Sequence, residues 1–356
     1  MKGVVLSGGF GTRLRPLTHT GPKQLIPIAN KPMLFYAIED LRDAGVRDIA
    51  VILGTIAPEK VREAVGDGSS LGVRVEYIVQ GEPKGIAHAV KRARKFVGDE
   101  PFVVYLGDNI LKGGIKEFVR KFKNSKNDAT ILLCRHKTPE RFGVAEVKNG
   151  KIVRLVEKPK QPKSNLVMIG IYFFRKAIFD AIEQLKPSWR GEYEITEAVD
   201  CLVKNGYKVG YDIVKGWWKD TGKPEDIIEA NHLVLEELNS KNEGEVEEGA
   251  NIRGRVSIGE GTVVRKGCFI KGPVIIGKKC EVDSGTYIGP YTSVGDECVL
   301  RGVEIESSIV MNGSRIECKG RIVDSLIGAN NRIVSGSGEV PKAIRLVVGE
   351  NSYLSI

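Results

Sequence analysis

Histidine is scarce in this chain, and the shortage limits the chemistry that it can carry. The 356 residues include four histidines, at positions 19, 88, 136 and 232, and no two of them are spaced as a metal-ligand pair. The six cysteines include no C-x-x-C pair, which argues against a zinc site or a dithiol redox motif. We therefore interpret the histidines and cysteines as packing or surface residues.

Long apolar runs and compact basic patches are also missing. No uncharged apolar stretch is long enough to cross a bilayer, and the first apolar run ends at Gly8, too early for a signal peptide. The net charge is +9, yet the 54 basic residues are scattered among 45 acidic ones. Without a basic patch interleaved with aromatics, we expect neither nucleic acid nor a membrane as a partner. These absences favour a cytoplasmic protein with small anionic substrates.

The first part of the chain alternates short apolar runs with helical patterns, which predicts a mostly parallel, Rossmann-like α/β sheet. Ligands of such sheets bind beyond the carboxyl ends of the strands. The predicted strands are Gly3–Leu6, Asp48–Leu53, Val73–Val79, Phe102–Leu106, Thr130–Cys134, Met168–Phe174 and a hairpin of Phe142–Val147 with Ile152–Val156. The predicted helices are Met33–Ala44, Pro58–Val65, Ile86–Phe96, Gly114–Phe122 and Glu225–Leu238.

A six-residue repeat occupies the last third of the chain. Every sixth residue from Ile252 to Leu300 is aliphatic, and four positions after each of these up to Val294 stands a small residue, three times a cysteine. This pattern is typical of a left-handed parallel β-helix of hexapeptide repeats. The frame slips after Leu300, which predicts an irregular turn or a protruding loop near Val303–Ser308. We predict a catalytic domain at 1–239, a linker at 240–250, the β-helix at 251–335 and a C-terminal cap at 336–356.

The segment Gly8-Gly9-Phe10-Gly11-Thr12-Arg13 follows an apolar strand and reads as an anion-binding loop. Glycines let the backbone N–H groups approach a phosphate, and Arg13 and Lys23 add positive charge. The spacing fits neither the Walker loop nor the dinucleotide fingerprint, and on the glycines alone a tight turn is about as good an interpretation.

The longer string is more specific. After the loop, the chain contains further motifs in this order: Pro22-Lys23-Gln24, Lys31-Pro32-Met33, Gln80 with Gly85, Gly107-Asp108-Asn109, Phe142-Gly143-Val144, Glu157-Lys158-Pro159 and Trp218-Lys219-Asp220-Thr221-Gly222. Together with the loop, this ordered set resembles the sugar-1-phosphate nucleotidyltransferases. Within that family it is most similar to the thymidylyltransferases of the long form that carries a β-helix. The resemblance covers about residues 1 to 240, and Ser7 departs from the family's usual alanine.

The resemblance implies a glycosyltransferase-A-like catalytic domain, transfer of a nucleotidyl group from dTTP to glucose 1-phosphate, and Mg²⁺ as the cofactor. The implied catalytic residues are Arg13, Lys23, Asp108, Lys158 and Asp220, of which Asp108 and Asp220 hold the metal. The nucleotide-binding residues would be Leu6, Gly8, Gly9, Gly11, Thr12, Arg13, Lys23, Gln24, Gln80, Gly85 and Asp108. The sugar phosphate would contact Gly143, Glu157, Lys158 and Tyr172.

Several alternatives stay open at this point. UTP in place of dTTP differs by one methyl, which changes binding by only about 1–3 kcal/mol, and a broad specificity for sugar phosphates is equally compatible with the motifs. Some relatives add an acyltransferase activity in the β-helix, but that chemistry generally needs a histidine base and no histidine follows His232. A non-catalytic scaffold is disfavoured because the phosphate and metal residues are all present. We expect a homo-oligomer assembled through the β-helix.

Overall fold

The computed structural model describes residues 1–334, 343–344 and 346–355. Contacts divide the chain into two compact units, the first made of Met1–Phe10 with Met33–Asp220 and the second of Gly11–Pro32 with Thr221–Ile356. The second half of the glycine loop thus belongs with the C-terminal part of the chain. These bounds follow contacts rather than composition, and the boundaries at 239 and 250 stay a prediction.

In the first unit the strands are β1 (Lys2–Ser7), β4 (Asp48–Leu53), β5 (Arg74–Val79), β6 (Phe102–Leu106), β7 (Asn109–Leu111), β8 (Ala129–Arg135), β9 (Gly143–Lys148), β10 (Lys151–Glu157), β11 (Leu166–Phe174), β12 (Val209–Ile213) and β13 (Trp218–Asp220). Its helices are α1 (Met33–Asp43), α2 (Pro58–Val65), α3 (Ile86–Arg92), α4 (Arg94–Val97), α5 (Lys116–Asn124), α6 (Ala177–Glu183) and α7 (Ile195–Lys204). Short 3₁₀ turns occupy Ser69–Leu71 and Pro139–Arg141.

The predicted parallel sheet is confirmed in the order β5-β4-β1-β6, where each neighbouring pair is parallel. Strand β11 then lies antiparallel to β6, and the hairpin β9–β10 extends this antiparallel half of a nine-stranded sheet. The central residues of β1, β4 and β6 are apolar because both faces of these strands are buried. The pair β7–β13 forms a separate two-stranded ribbon.

The second unit begins with 3₁₀ turns at Thr12–Leu14, Leu17–His19 and Lys23–Leu25, then the hairpin β2 (Pro27–Ile28) with β3 (Lys31–Pro32). Helix α8 (Pro224–Leu235) follows in the C-terminal part, starting at a proline in its first turn. The remaining strands are β14 (Lys241–Asn242), β15 (Glu245–Val246), β16 (Asn251–Arg253), β17 (Val256–Ile258), β18 (Val263–Val264), β19 (Phe269–Lys271), β20 (Val274–Ile276), β21 (Glu281–Val282), β22 (Tyr287–Ile288), β23 (Thr292–Val294), β24 (Val299–Arg301), β25 (Glu304–Glu306), β26 (Ile309–Val310), β27 (Arg315–Glu317), β28 (Arg321–Val323), β29 (Leu326–Ile327), β30 (Arg332–Val334), β31 (Ala343–Ile344), β32 (Val347–Val348) and β33 (Tyr353–Ser355).

These strands form three parallel sheets among the described residues, as a left-handed β-helix requires. The aliphatic repeat lines the interior, and the small-residue column is buried with it, including Cys268, Cys280 and Cys298. Near 303–308 the coil shortens instead of protruding: Ile288 pairs with Ile305, 17 positions on, whereas Ile270 pairs with Ile288, 18 positions on. The predicted cap lies partly outside the described residues, and strands β31–β33 within it extend the three sheets by one more coil.

Candidate active site

Four parallel strands of the first unit end at one edge of the sheet, and predicted site residues follow three of them. The N–H of Gly54 donates to the carbonyl of Ser7 (3.2 Å), and the N–H of Gly107 donates to the carbonyl of Leu6 (2.9 Å). Gln80 N–H likewise donates to Leu53 O (3.0 Å). The segments that follow these four strands therefore share the edge where ligands of parallel sheets bind. They are the glycine loop after β1, Gly54 after β4, Gln80 after β5 and Gly107 after β6.

The first glycines of the loop are needed for close packing. A Cβ on Gly8 would lie 3.0 Å from Gln80 Oε1, and one on Gly54 would lie 2.9 Å from Gly8 Cα. Gly9 adopts φ 101°, which side-chain-bearing residues rarely adopt. The structure thus brings Leu6, Gly8, Gly9 and Gln80 together, and it adds Gly54, which no sequence motif marked. Ser7 is buried, and its Oγ has no hydrogen-bond partner among the described residues.

The side-chain amide of Gln80 is held in one orientation. Its Nε2 lies 3.2 Å from the carbonyl oxygen of Gly85 and 3.3 Å from His88 Nδ1, and it donates to both. Burial, with the charge of Arg92, lowers the pKa of His88, so the ring is neutral at neutral pH and Nδ1 can accept. Both donor positions of Gln80 are used within the protein. The amide therefore presents its oxygen beside Gly8, as an acceptor.

Gly85 is held where no other residue fits. Its φ is 101°, and a Cβ there would meet Tyr193 O at 2.5 Å. His88 is a residue that sequence reasoning assigned to packing, yet it contacts Gln80. The signal for it was present, since His88 stands on the first turn of α3 directly after the Gly85 motif.

The two predicted metal carboxylates lie on neighbouring strands. Asp220 of β13 pairs in register with Asn109 of β7, the residue after Asp108. Asn109 is buried and orients this corner: its Nδ2 donates to Asp108 Oδ1 (3.0 Å), and its Oδ1 accepts from Trp218 Nε1 (2.7 Å) and Gly170 N (3.1 Å). Hydrogen bonds from Trp218 on β13 and Gly170 on β11 thus fix the Asn109 amide that holds Asp108.

Tyr172 shows that acidic side chains gather in this region. Burial is the main cause that raises the pKa of its phenol well above the usual range, and nearby carboxylates add to the rise, in the order Glu157, Asp108, Asp220 and Glu194. Among the described residues no three histidine, cysteine or carboxylate groups form a ligand cluster. Two carboxylates with room for phosphate oxygens and water are nevertheless the set that Mg²⁺ uses at nucleotide sites, so the donors fit that ion.

Glu157 and Lys158 end strand β10 beside Gly143. Glu157 and Gly143 pair across the β9–β10 hairpin, and Thr196 donates from its hydroxyl to Glu157 Oε2 at 2.6 Å. A Cβ on Gly143 would lie 2.5 Å from Thr196 Oγ1, so only glycine leaves room for this hydrogen bond. Burial raises the pKa of Glu157, and the bond from Thr196 offsets part of the rise.

Lys158 adopts left-handed backbone, with φ 42°, and its Nζ lies 3.9 Å from Glu157 Oε1. A lysine in this conformation is strained, as residues at ligand sites often are. The roles of Glu157 and Lys158 at a sugar-phosphate site stay predictions.

Arg190 joins this cluster and was not predicted. Its Nη1 lies 3.1 Å from Glu194 Oε1 and 3.8 Å from Glu157 Oε1, while Nη2 lies 2.8 Å from Glu192 Oε1. The residue stands in the loop before α7, where no motif pointed to it. A second cation beside Lys158 makes this a place where an anion can bind next to a hydrogen-bond acceptor.

The other half of the predicted phosphate site lies in the second unit. Gly11 has φ 57°, and its carbonyl accepts from Thr18 Oγ1 at 2.8 Å. The guanidinium of Arg13 packs on Gly222, where a Cβ would lie 2.9 Å from Nη2. Lys23 and the buried Gln24 stand on the 3₁₀ turn after Pro22. The roles of Gly11, Thr12, Arg13, Lys23 and Gln24 stay predictions.

Among the described residues, no helix is both long and apolar enough to span a membrane.

Comparison with known proteins identifies the family of the chain. The family described as "Nucleotidyl transferase" matches residues 2–237, and the "GMPPB C-terminal domain" matches residues 270–343. The chain is 53% identical to the low-salt glycan biosynthesis nucleotidyltransferase Agl11 of Haloferax volcanii over 100% of both chains. It is 45% identical to a glucose-1-phosphate thymidylyltransferase of Streptomyces griseus over 100% of this chain and 99% of the relative.

A solved structure is also similar. The crystal structure of a putative glucose-1-phosphate thymidylyltransferase from Bacillus anthracis, in complex with a sucrose, matches with a TM-score of 0.64 and 40% identity. The match covers 68% of this chain and 98% of that one.

Proposed function

The chain belongs to the nucleotidyl transferase family, and from this premise we propose that it transfers a thymidylyl group from dTTP to glucose 1-phosphate. The products are dTDP-glucose and pyrophosphate. The observation that carries the proposal is the edge of the sheet, where the glycine loop, Gln80 and Asp108 follow neighbouring strands. Relatives named glucose-1-phosphate thymidylyltransferase support the choice of substrates.

The reaction needs alignment and charge neutralisation more than proton transfer. The phosphate oxygen of the sugar phosphate is already a nucleophile at neutral pH and attacks the α-phosphorus as pyrophosphate leaves. Two polyanions must be held in line against their mutual repulsion. Arg13 and Lys23 oppose the charge of the triphosphate and of the departing pyrophosphate. A general base is not required, which agrees with the scarcity of histidine.

Asp108 and Asp220 are the residues that would hold Mg²⁺. The ion, when bound, would neutralise phosphate charge at the reacting centre. Asn109 supports this role because its hydrogen bond to Asp108 Oδ1 orients the carboxylate. Trp218 and Gly170 donate to Asn109 Oδ1 and hold its amide in place, so the amide in turn fixes the rotamer of Asp108.

The sugar phosphate would bind at the Glu157 cluster. Lys158 and Arg190 supply the cations for its phosphate, and Glu157 accepts hydrogen bonds from sugar hydroxyls. Gly143 serves by leaving space for Thr196, which orients Glu157. The buried Tyr172 forms the floor of this acidic region and remains protonated.

The orientation of Gln80 supports a pyrimidine-2,4-dione as the base. Its free acceptor, Oε1, matches the N3–H group that thymine and uracil share, whereas cytosine presents an acceptor at that position. The choice of thymine over uracil rests on the names of relatives, so UTP is the second nucleotide to be tested. Gly85 would bring backbone groups to the edge of the base.

The test is pyrophosphate release by the purified chain with Mg²⁺, measured for dTTP, UTP and CTP against glucose 1-phosphate and amino-sugar 1-phosphates. We expect the highest kcat/KM with dTTP and glucose 1-phosphate. Absence of release with every pyrimidine triphosphate would refute the proposal. Asp108→Asn should abolish turnover without unfolding the chain, while Asp99→Asn, a change at an exposed surface carboxylate, should leave turnover intact.

A further inference from the structure

The segment Gly11–Pro32, which carries Arg13 and Lys23, packs in the second unit with helix α8 and the β-helix. Its hairpin β2–β3 turns through Ala29 and Asn30, which have φ 46° and 62°. Left-handed backbone is unfavourable for alanine, so such a turn persists only where its surroundings hold it. The residues that hold it lie about two hundred positions further along the chain.

Asn231 of α8 is the central contact. It is fully buried, and its Oδ1 accepts from the N–H of Ala29 (2.8 Å) and from Ser293 Oγ (2.7 Å). Its Nδ2 donates to the carbonyl of Tyr291 (3.0 Å). One amide thus joins the turn of the hairpin, helix α8 and a coil of the β-helix.

A second hydrogen bond crosses the same junction without passing through α8. Asn30 Nδ2 donates to the carbonyl of Val294 at 2.6 Å, at the end of strand β23. Near the start of the segment, Pro16 packs on Gly349, where a Cβ would lie 3.4 Å from Pro16 O. The segment is therefore attached to the β-helix near both of its ends.

We propose that Asn231 is a positioning residue, which fixes the segment Gly11–Pro32 on the β-helix by holding the main chain of Ala29. One part of this inference, the binding of the triphosphate by Arg13 and Lys23, rests on the proposed function. The β-helix then has a direct part in catalysis, as the platform for phosphate-binding side chains. An amide is required at position 231 because only a group that both accepts and donates satisfies Ala29, Ser293 and Tyr291 together.

The experiment is Asn231→Leu in the full-length chain, a change that keeps the number and branching of the side-chain heavy atoms and removes the hydrogen bonds. We expect faster hydrogen exchange in peptides from 11–32 and a KM for the triphosphate about tenfold higher, because one lost hydrogen bond with its unsatisfied partner corresponds to roughly that factor. The KM for the sugar phosphate should change less than about twofold, since its predicted residues lie in the other unit.

Asn331→Leu is the matched control. Asn331 is an equally buried asparagine of the β-helix that bonds to the backbone of Gly328 and Ser352 rather than to the segment. It should lower the melting temperature and leave exchange at 11–32 unchanged. If exchange at 11–32 is the same in Asn231→Leu as in the wild type, the proposal is wrong.

Two further variants keep the test decisive. Should Asn231→Leu fail to fold, Ser293→Ala and Asn30→Ala each remove one hydrogen bond of the junction, and the proposal requires each to speed exchange at 11–32. Faster exchange without a change in the triphosphate KM would support the positioning role and count against the binding roles of Arg13 and Lys23. Unchanged exchange in both would overturn the positioning role.

Discussion

At the residue scale, Gly143 shows how a side chain can be excluded by a neighbour rather than by a ligand. The sequence motif suggested that its glycine lets the sugar approach the backbone. The structure adds a stronger reason, because the space that a Cβ would take is filled by the hydroxyl of Thr196, which holds Glu157. The motif marked the right position, but its cause lies in a helix 53 residues away, which no local pattern discloses.

We therefore expect Gly143→Ala to displace Thr196 and Glu157 and to raise the KM for the sugar phosphate by about 10- to 100-fold, the usual effect of a misplaced binding group. The KM for the triphosphate should change little. Steady-state kinetics with each substrate varied in turn would check this. Gly320→Ala, at a glycine with no atom within 4 Å of the added Cβ, is the control. Equal rises in both KM values would contradict the assignment.

Because Glu157 titrates, we expect both the stability of the chain and the KM for the sugar phosphate to depend on pH. Burial raises the pKa of its carboxyl above the usual 4.5, so the folded chain binds the proton more tightly than the unfolded chain. The contribution to stability is therefore full below pH 4.5 and is lost as the pH rises through the raised pKa. Sugar binding needs the ionised form, so the KM for the sugar phosphate should rise as the pH falls through the same pKa. Glu157→Gln should remove this pH dependence, and an unchanged profile would exclude Glu157 as its source.

At the scale of elements, the sequence predicted those strands and helices whose pattern is local. Strands β4 and β6 and helix α2 have the bounds that their apolar runs indicate. The ribbon β7–β13 was missed because three residues are too few to show a period, and its pairing joins positions 109 apart through Asn109 and Trp218. Asn231 was missed for a related reason: an asparagine in a helix gains its role from partners 202 and 62 positions away.

Helix α8 makes a second contact with the β-helix, and this one involves a titratable residue. His232 stacks on Tyr291, with ring centroids 4.5 Å apart, and its Nε2 lies 2.8 Å from Ser307 Oγ. Burial lowers the pKa of His232 below the usual 6.5, although Asp324, Glu229 and Glu236 oppose the shift. The folded chain therefore binds its proton less tightly, and this contribution to stability is present above pH 6.5 and is lost as the pH falls through the lowered pKa.

We expect His232→Gln to flatten the fall of melting temperature on the acid side of neutrality, since glutamine does not titrate. Differential scanning calorimetry at a series of pH values would measure it. His19→Gln, at an exposed histidine, is the control and should keep the wild-type profile. Identical profiles for all three proteins would show that His232 does not contribute.

At the scale of the whole molecule, the predicted sugar-phosphate residues belong to one unit, whereas the predicted nucleotide residues are divided between the two units. The predicted sugar-phosphate residues lie in the first unit, and Arg13 and Lys23 lie in the second. Binding to one unit stabilises that unit first, by mass action. The two ligands should therefore leave different protection patterns.

We expect a nucleoside triphosphate to slow hydrogen exchange in peptides from 11–32 and, through Asn231 and Asn30, in the coil around 291–294. The sugar phosphate alone should protect peptides around 143–158 and 190–196 and leave that coil unchanged. Exchange measured with each ligand separately would check both halves. Triphosphate protection confined to the first unit would show that the segment does not bind the phosphates.

The buried cysteines of the β-helix can be used to follow how its coils separate. Cys268, Cys280, Cys298 and Cys318 are at most 3% exposed, whereas Cys134 and Cys201 are half-buried in the first unit. A thiol inside a coil reacts with a bulky reagent only after that coil separates from its neighbours. The native chain thus contains its own set of reporters, spaced along the solenoid, and the order in which these thiols become modified records the order in which the coils come apart.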